Sequence, residues 1–118
     1  MKKEDKELLF KELCARFPYN IMVKYNNHVY EVLSINKDTK KLTIWKNFGY
    51  SLNIKFEYCK LYLFPLSSMT MEQEIEFNSL IIETPWKLID WFNKNHFDYR
   101  GLIPMGLAND ATNTNVYD

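Results

Sequence analysis

The sequence predicts an α+β fold: an N-terminal helix, then an antiparallel β-meander that curls or closes into a small SH3-like barrel, then two C-terminal helices packed on it. Three observations predict it. Apolar residues recur with a helical period up to residue 17, with a period of two over residues 19–64, and with a helical period again over residues 70–96. A length of 118 residues suits one domain, 1–118. A content of 47% hydrophobic and 16% aromatic residues supplies a core and lies far from the disordered regime.

The first helix is expected over residues 4–16 of a 1–17 segment. Leu9, Phe10, Leu13, Cys14 and Phe17 share one broad arc, while Glu7, Lys11, Glu12 and Arg16 fill most of the opposite face. Pro18 ends it, because the residue before a proline is driven out of the α region. Next, Ile21, Val23 and Tyr25 alternate with Met22 and Lys24. Asn26-Asn27 makes a two-residue turn, since asparagine tolerates positive φ. Residues 28–35 form a second strand, 36–40 a polar turn and 41–46 a third strand, with Leu42 and Ile44 on one face and Thr43 and Trp45 on the other. A turn over 47–50 follows. Leu52, Ile54, Phe56 and Tyr58 then alternate with Asn53, Lys55 and Glu57, the strongest strand signal in the chain. Residues 60–64 form a fifth, short strand stopped by Pro65. A flat meander of four or five such strands leaves a face bare and two edges open; curling or closure relieves both.

After Pro65, Thr70 and Gln73 fit a capping box, and Glu72, Glu74 and Glu76 sit at the positive end of the helix dipole. Met71, Ile75 and Ile82 form one stripe; Phe77, Leu80 and Ile81 cover much of the rest, which predicts a sandwiched helix. Thr84 as N-cap and Pro85 as the first helical residue start the last helix. There Leu88, Ile89, Trp91 and Phe92 share a face that Trp86 does not. The chain leaves the helix after His96, and residues 109–118 read as a flexible tail.

Net charge is zero but unevenly placed: residues 17–62 carry seven lysines against three acids, and residues 63–118 carry three bases against eight acids. No run of about 20 apolar residues spans a membrane, so no membrane partner is expected. The opening Met1-Lys2-Lys3-Glu4-Asp5-Lys6-Glu7 lacks the apolar core of a signal peptide, which points to the cytoplasm. Cys14 and Cys59 fit two reduced thiols better than a single disulfide, and neither belongs to a CxxC pair. GxSxG, P-loop and GxGxxG patterns are absent. His28 and His96 are too few for a multi-histidine metal site, and His96 and Asp98 with Asp90 or Glu83 read more readily as a hydrogen-bonded histidine. Both cysteines fall at core or strand positions, against a Cys–His nucleophile. No catalytic residue, metal or cofactor is therefore expected, and the chain reads as a binding module rather than an enzyme.

Three groups of residues are binding candidates. Lys40, Lys41 and Lys46, interleaved with Trp45 and preceded by Lys37, could hold phosphates while stacking a base, or merely protect a sheet edge. Trp86, off the apolar arc, is an interface anchor or a lid on a neighbouring element. His96, Asp98, Tyr99 and Arg100, closing on Gly101, form a partner-binding loop or a helix-end structure in which Arg100 pairs with Asp98 or another acid.

Three segments also carry a resemblance. They are Leu13-Cys14-Ala15-Arg16-Phe17-Pro18-Tyr19; Tyr62-Leu63-Phe64-Pro65-Leu66-Ser67-Ser68-Met69-Thr70; and His96-Phe97-Asp98-Tyr99-Arg100-Gly101-Leu102-Ile103, followed by Gly106-Leu107-Ala108 and Tyr117. In order and spacing they resemble a group of short proteins encoded by phages and prophages of Bacteroidetes-type gut bacteria. Residues 20–58 resemble that group least. The group carries no established activity, so the resemblance implies a setting, a bacterial host cell, and no site residue. The expected partner is a host or phage protein, because net charge is zero and the basic patch shallow. Two alternatives stand beside it: nucleic-acid binding through the Lys/Trp face, and sequestration of a signalling nucleotide by a phage counter-defence protein, for which a homodimer would be one arrangement.

Overall fold

A computed structural model describes residues 1–45 and 51–118. Its helices are α1 (Lys3–Arg16), α2 (Met71–Glu83) and α3 (Leu88–Lys94). Its strands are β1 (Met22–Tyr25), β2 (His28–Asn36), β3 (Lys41–Trp45), β4 (Leu52–Lys55), β5 (Lys60–Pro65), β6 (Phe97–Asp98) and β7 (Ala108–Asp110). The α+β class is the one the sequence predicts. Lys46 and the expected turn over 47–50 lie outside the described residues.

The sheet runs β4-β3-β2-β1-β5-β6, with β7 also pairing β5. β1 to β5 pair antiparallel, whereas β6 and β7 run parallel to β5. The β1–β2 hairpin turns at Asn26 and Asn27, whose φ values of 51° and 65° are the left-handed pair such a turn needs. In β2 the register shifts between Val32 and Ser34, a bulge that bends the strand.

The sheet must curl hard. Three strands separate β4 from β5, so in a flat sheet the two would lie about 19 Å apart. Only residues 56–59 join them, and three of these form a 3-10 turn, Phe56–Tyr58, which rises only about 2 Å per residue. Among the described residues β4 and β5 do not pair, so the meander is curled and open, not a closed barrel. The same turn shortens the strand expected to continue through Tyr58. Phe56 becomes buried and Tyr58 is left 64% exposed, with the Cys59 amide donating to the Phe56 carbonyl at 3.0 Å.

Helix α1 closes the concave side. Leu9 and Leu13 join Ile21, Val23, Leu42, Ile44, Leu61 and Leu63 in one buried cluster, and Phe10 meets Phe56 edge-on at 5.1 Å. Each such aliphatic side chain contributes about 1.5–3 kcal/mol by leaving water. Two residues assigned to the polar face of α1 behave otherwise: Glu12 and Arg16 are fully buried.

The capping box of α2 forms as expected: the Gln73 amide donates to Thr70 Oγ1 at 3.2 Å, and the Thr70 amide to Gln73 Oε1 at 2.9 Å. The helix is not sandwiched, however. It buries no residue fully and packs through Phe77 against Trp91 and Phe92. The last helix opens as a 3-10 turn, Pro85–Lys87, and becomes α only at Leu88; the Thr84 side chain caps neither. Phe92 faces inward while Ile89 is 55% exposed.

Residues 109–118, compositionally a loose end, make specific bonds. Strand β7 sets Ala108, Asn109 and Asp110 against Leu61, Tyr62 and Leu63 of β5, and the Ala111 amide donates to the Leu63 carbonyl at 2.8 Å. The last β1–β5 pair is Val23 with Leu61. Just beyond it the Tyr117 hydroxyl accepts from the Met22 amide at 3.1 Å and donates to the Tyr62 carbonyl at 2.8 Å, bridging the two strands. Replacing Tyr117 with phenylalanine leaves both backbone groups without that partner and should lower unfolding free energy by about 1–3 kcal/mol in urea titration. An unchanged midpoint would show that the hydroxyl is not part of the sheet.

Candidate functional site

The densest polar cluster lies where α1 meets the segment after α3. The Glu12 carboxylate accepts from Arg16 Nε at 2.9 Å through one oxygen and from Arg100 Nε at 2.5 Å through the other. The side chains of Glu12 and Arg16 are buried and that of Arg100 is 37% exposed. Both guanidinium carbons lie over the Tyr99 ring, at 5.2 and 5.3 Å, and Tyr99 stacks on Phe92. Nη1 and Nη2 of Arg16 are buried with no hydrogen-bond partner among the described residues.

Asp98 completes this junction differently. Its two oxygens accept from the amides of Leu102 and Ile103, both at 2.8 Å. These bonds fix a turn that Gly101 enters at φ 79°, a conformation glycine adopts without steric cost. Of the two pairings open to Arg100, the structure therefore contains the one with another acid, Glu12, and not the one with Asp98.

His96 sits at φ 61° and stacks on Tyr117, with ring centroids 3.7 Å apart. Its carbonyl accepts from the Phe64 amide at 2.8 Å. Burial, aided by the nearby Arg16 cation, pushes its pKa down to about 4, so the imidazole is neutral near pH 7. Two of the acids considered with it are occupied elsewhere, Asp98 by the backbone and Asp90 by the Tyr19 hydroxyl. Thus His96, Asp98, Tyr99 and Arg100 clasp the C-terminal segment to α1 and β5. Among the described residues no three His, Cys, Asp or Glu side chains converge as a metal-binding group. Both cysteines are free; burial pushes the Cys59 thiol up to about 12 and also raises Cys14, against a smaller lowering by Lys37.

The other candidates divide. Lys40 stands at φ 57° at the end of the 36–40 turn, with Nζ 5.7 Å from the centre of the Phe10 ring on α1. Lys41 and Trp45 occupy opposite ends of β3; Lys41 lies directly across from Lys55, and Trp45 across from Glu31 and half-buried. Among the described residues, Lys40, Lys41 and Trp45 are therefore not gathered into one stacking platform. Trp86 is 74% exposed, which settles its position as a surface residue and not a lid.

Trp86 follows a helix whose apolar stripe is itself bare. Met71, Ile75 and Ile82 are 78%, 64% and 80% exposed, and they span only about 40° of the helix circumference. Phe77, the residue that packs inward, projects roughly 140° away. Glu72 and Glu74 flank the stripe at about 80° on either side. The stripe was visible in the sequence; its exposure was not. The surplus of apolar positions over what one packing face can bury was the available signal.

Comparison with protein-family models, with curated proteins and with solved structures finds no match to this chain. Among the described residues no helix is long and apolar enough to cross a membrane.

Two outcomes test the clasp. Glu12→Ala leaves buried Arg16 without its counter-ion and should cost about 3–5 kcal/mol in urea unfolding, whereas exposed Lys11→Ala should stay within about 0.5 kcal/mol. A small effect at Glu12 would remove the ion triad as a structural element. The second concerns pH. Because the folded pKa of His96 lies below its unfolded value, the unfolded chain binds the extra proton. This contribution to stability is complete above about pH 6.5 and is lost as pH falls toward 4. His96→Asn, which keeps a residue tolerant of positive φ, should flatten the stability profile across that window; an identical slope in both proteins would contradict the assignment.

Proposed function

We propose that the chain is a non-enzymatic module that docks a partner protein on the outer face of α2, in the phage or prophage setting and host cytoplasm that its sequence segments suggest. The observation that supports this most is the bare stripe of Met71, Ile75 and Ile82, next in the chain to exposed Trp86. Isolated exposed apolar residues are ordinary, but a helix-long row of them is a feature of interaction surfaces. Tryptophan is also among the residues enriched at interface hot spots.

Charge complementarity selects the occupant. α2 carries Glu72, Glu74, Glu76 and Glu83 and no basic residue. A partner segment that complements it is an amphipathic helix whose apolar seam is bordered by lysine and arginine, laid along the stripe. A two-fold pairing of α2 with a second copy would set glutamates against glutamates, which opposes self-association through this face.

The test is capture of a partner by the wild-type chain and by Ile82→Glu, Trp86→Ala and Glu72→Lys/Glu74→Lys variants, with the bound segment identified by cross-linking. The reading expects each variant to weaken binding at least about tenfold, equivalent to roughly 1.4 kcal/mol. It also expects unchanged melting temperatures, since these side chains are exposed, and a basic amphipathic helix at the cross-link. Dimerisation that Ile82→Glu abolishes, or a partner indifferent to all three variants, would overturn it.

A further inference from the structure

Away from α2, four lysines converge on one hollow. It has a volume of about 310 Å³ and is lined by Lys3, Lys6, Lys40 and Lys55 with Thr39, Phe56, Glu7 and Glu57. It forms where the first two turns of α1 meet the 36–40 turn and the end of β4. We propose that this hollow is a binding site for a small anion bearing a di- or triphosphate group.

The charge balance comes first. Lys6 pairs with Glu57 at 3.3 Å, and among the described residues no carboxylate lies within ion-pair distance of Lys3, Lys40 or Lys55. Lys55 stands directly opposite Lys41 in the β3–β4 ladder, a like-charge pairing that disfavours the apo sheet and that an anion would relieve. With Glu7 also in the lining, four lysines against two glutamates leave the hollow a net two positive charges, which match the multiple charges of a condensed phosphate better than a single carboxylate.

The scaffold is also fixed in advance. Asn36 Oδ1 accepts from the amides of Asp38 and Thr39, at 2.9 and 3.0 Å. The Lys40 amide donates to the Asn36 carbonyl at 2.8 Å, and the Lys40 carbonyl accepts from the Phe56 amide at 3.2 Å. The turn that carries Thr39 and Lys40 is thereby tied both to itself and to the wall that carries Lys55 and Phe56. Such preorganisation reduces the ordering cost of binding.

Recognition by this site is by charge and not by base. Its one aromatic lining residue, Phe56, is only 4% exposed and offers no face for stacking. The volume lies at the small end of ligand pockets, room for a phosphate chain more than for a whole nucleotide held on all sides. Nucleotides with the same phosphate number should therefore bind alike, and each should bind more tightly than its monophosphate.

Calorimetric titration of the full chain with sodium pyrophosphate, ATP, GTP and AMP tests this, first at low salt and then at higher salt. The expected result is saturable pyrophosphate binding that weakens with salt, similar affinities for ATP and GTP, and a much weaker AMP. Lys55→Gln, and Lys40→Asn to preserve the positive φ, should each weaken pyrophosphate binding about tenfold or more, while Lys24→Gln, outside the hollow, should not. Circular dichroism checks that the variants are folded, and either one alone suffices if the other is not. Absence of saturable binding at low salt would overturn the proposal. So would variants that bind as the wild type does, a clear preference between ATP and GTP, or binding of a single-stranded oligonucleotide without binding of pyrophosphate. Docking on α2 involves none of these lysines, so the two readings fail independently.

Discussion

The structure depends on one buried carboxylate shared by two arginines. Glu12 is on α1, Arg16 is one helical turn further on, and Arg100 belongs to the segment that leaves α3. Burying ionised groups is costly, and their attraction repays that cost only when geometry and hydrogen bonding are good. Here both carboxylate oxygens are used, and the ring of Tyr99 lies against both guanidinium groups. The arrangement fixes where the C-terminal segment meets α1. From there Asp98 shapes the following turn, His96 stacks on Tyr117, and Tyr117 bridges β1 and β5. The segments 13–19 and 96–103 thus meet at this triad.

The residues of this clasp are engaged with one another and with the backbone. Each candidate side chain from His96 to Arg100 has a structural partner. By contrast, α2 is held through little more than Phe77 and a bond from Trp91 Nε1 to Glu76 at 3.0 Å. Leu80 is half-buried, whereas Met71, Ile75, Ile81 and Ile82 are exposed. The charge asymmetry of the sequence follows this division in part: Glu72 and Glu74 border the apolar stripe of α2, while Lys40 and Lys55 of the lysine-rich middle join Lys3 and Lys6 around the hollow between α1 and β4.

How much of this was legible in the sequence depends on the range over which each interaction acts. The Asn26-Asn27 turn and the Thr70–Gln73 capping box are local, and both were readable from a few adjacent residues. The period-two pattern located β1 to β5 but overran at Phe56, because a sheet that must curl between β4 and β5 breaks its strand there. Glu12 and Arg16 read as a solvated helix face because their burial depends on Arg100 and Tyr99, far along the chain. β6 and β7, of two and three residues, are too short to show any period. Of the candidate site residues, Trp86 was legible as exposed only as one of two alternatives, and of the hollow only Lys40 was legible. Lys3, Lys6, Lys40 and Lys55 come from three separate elements that only the tertiary fold brings together.

Native-state hydrogen exchange on the Glu12→Gln protein tests the central claim most directly. The amides of Leu102, Ile103 and Ala111 report the Asp98 turn and the β5–β7 contact, and those of the β1–β2 hairpin report the meander. If the shared carboxylate holds the C-terminal segment in place, the first group should lose protection together with the end of α1 while the hairpin keeps most of its own. Unchanged protection at Leu102, Ile103 and Ala111, or loss confined to α1, would contradict it.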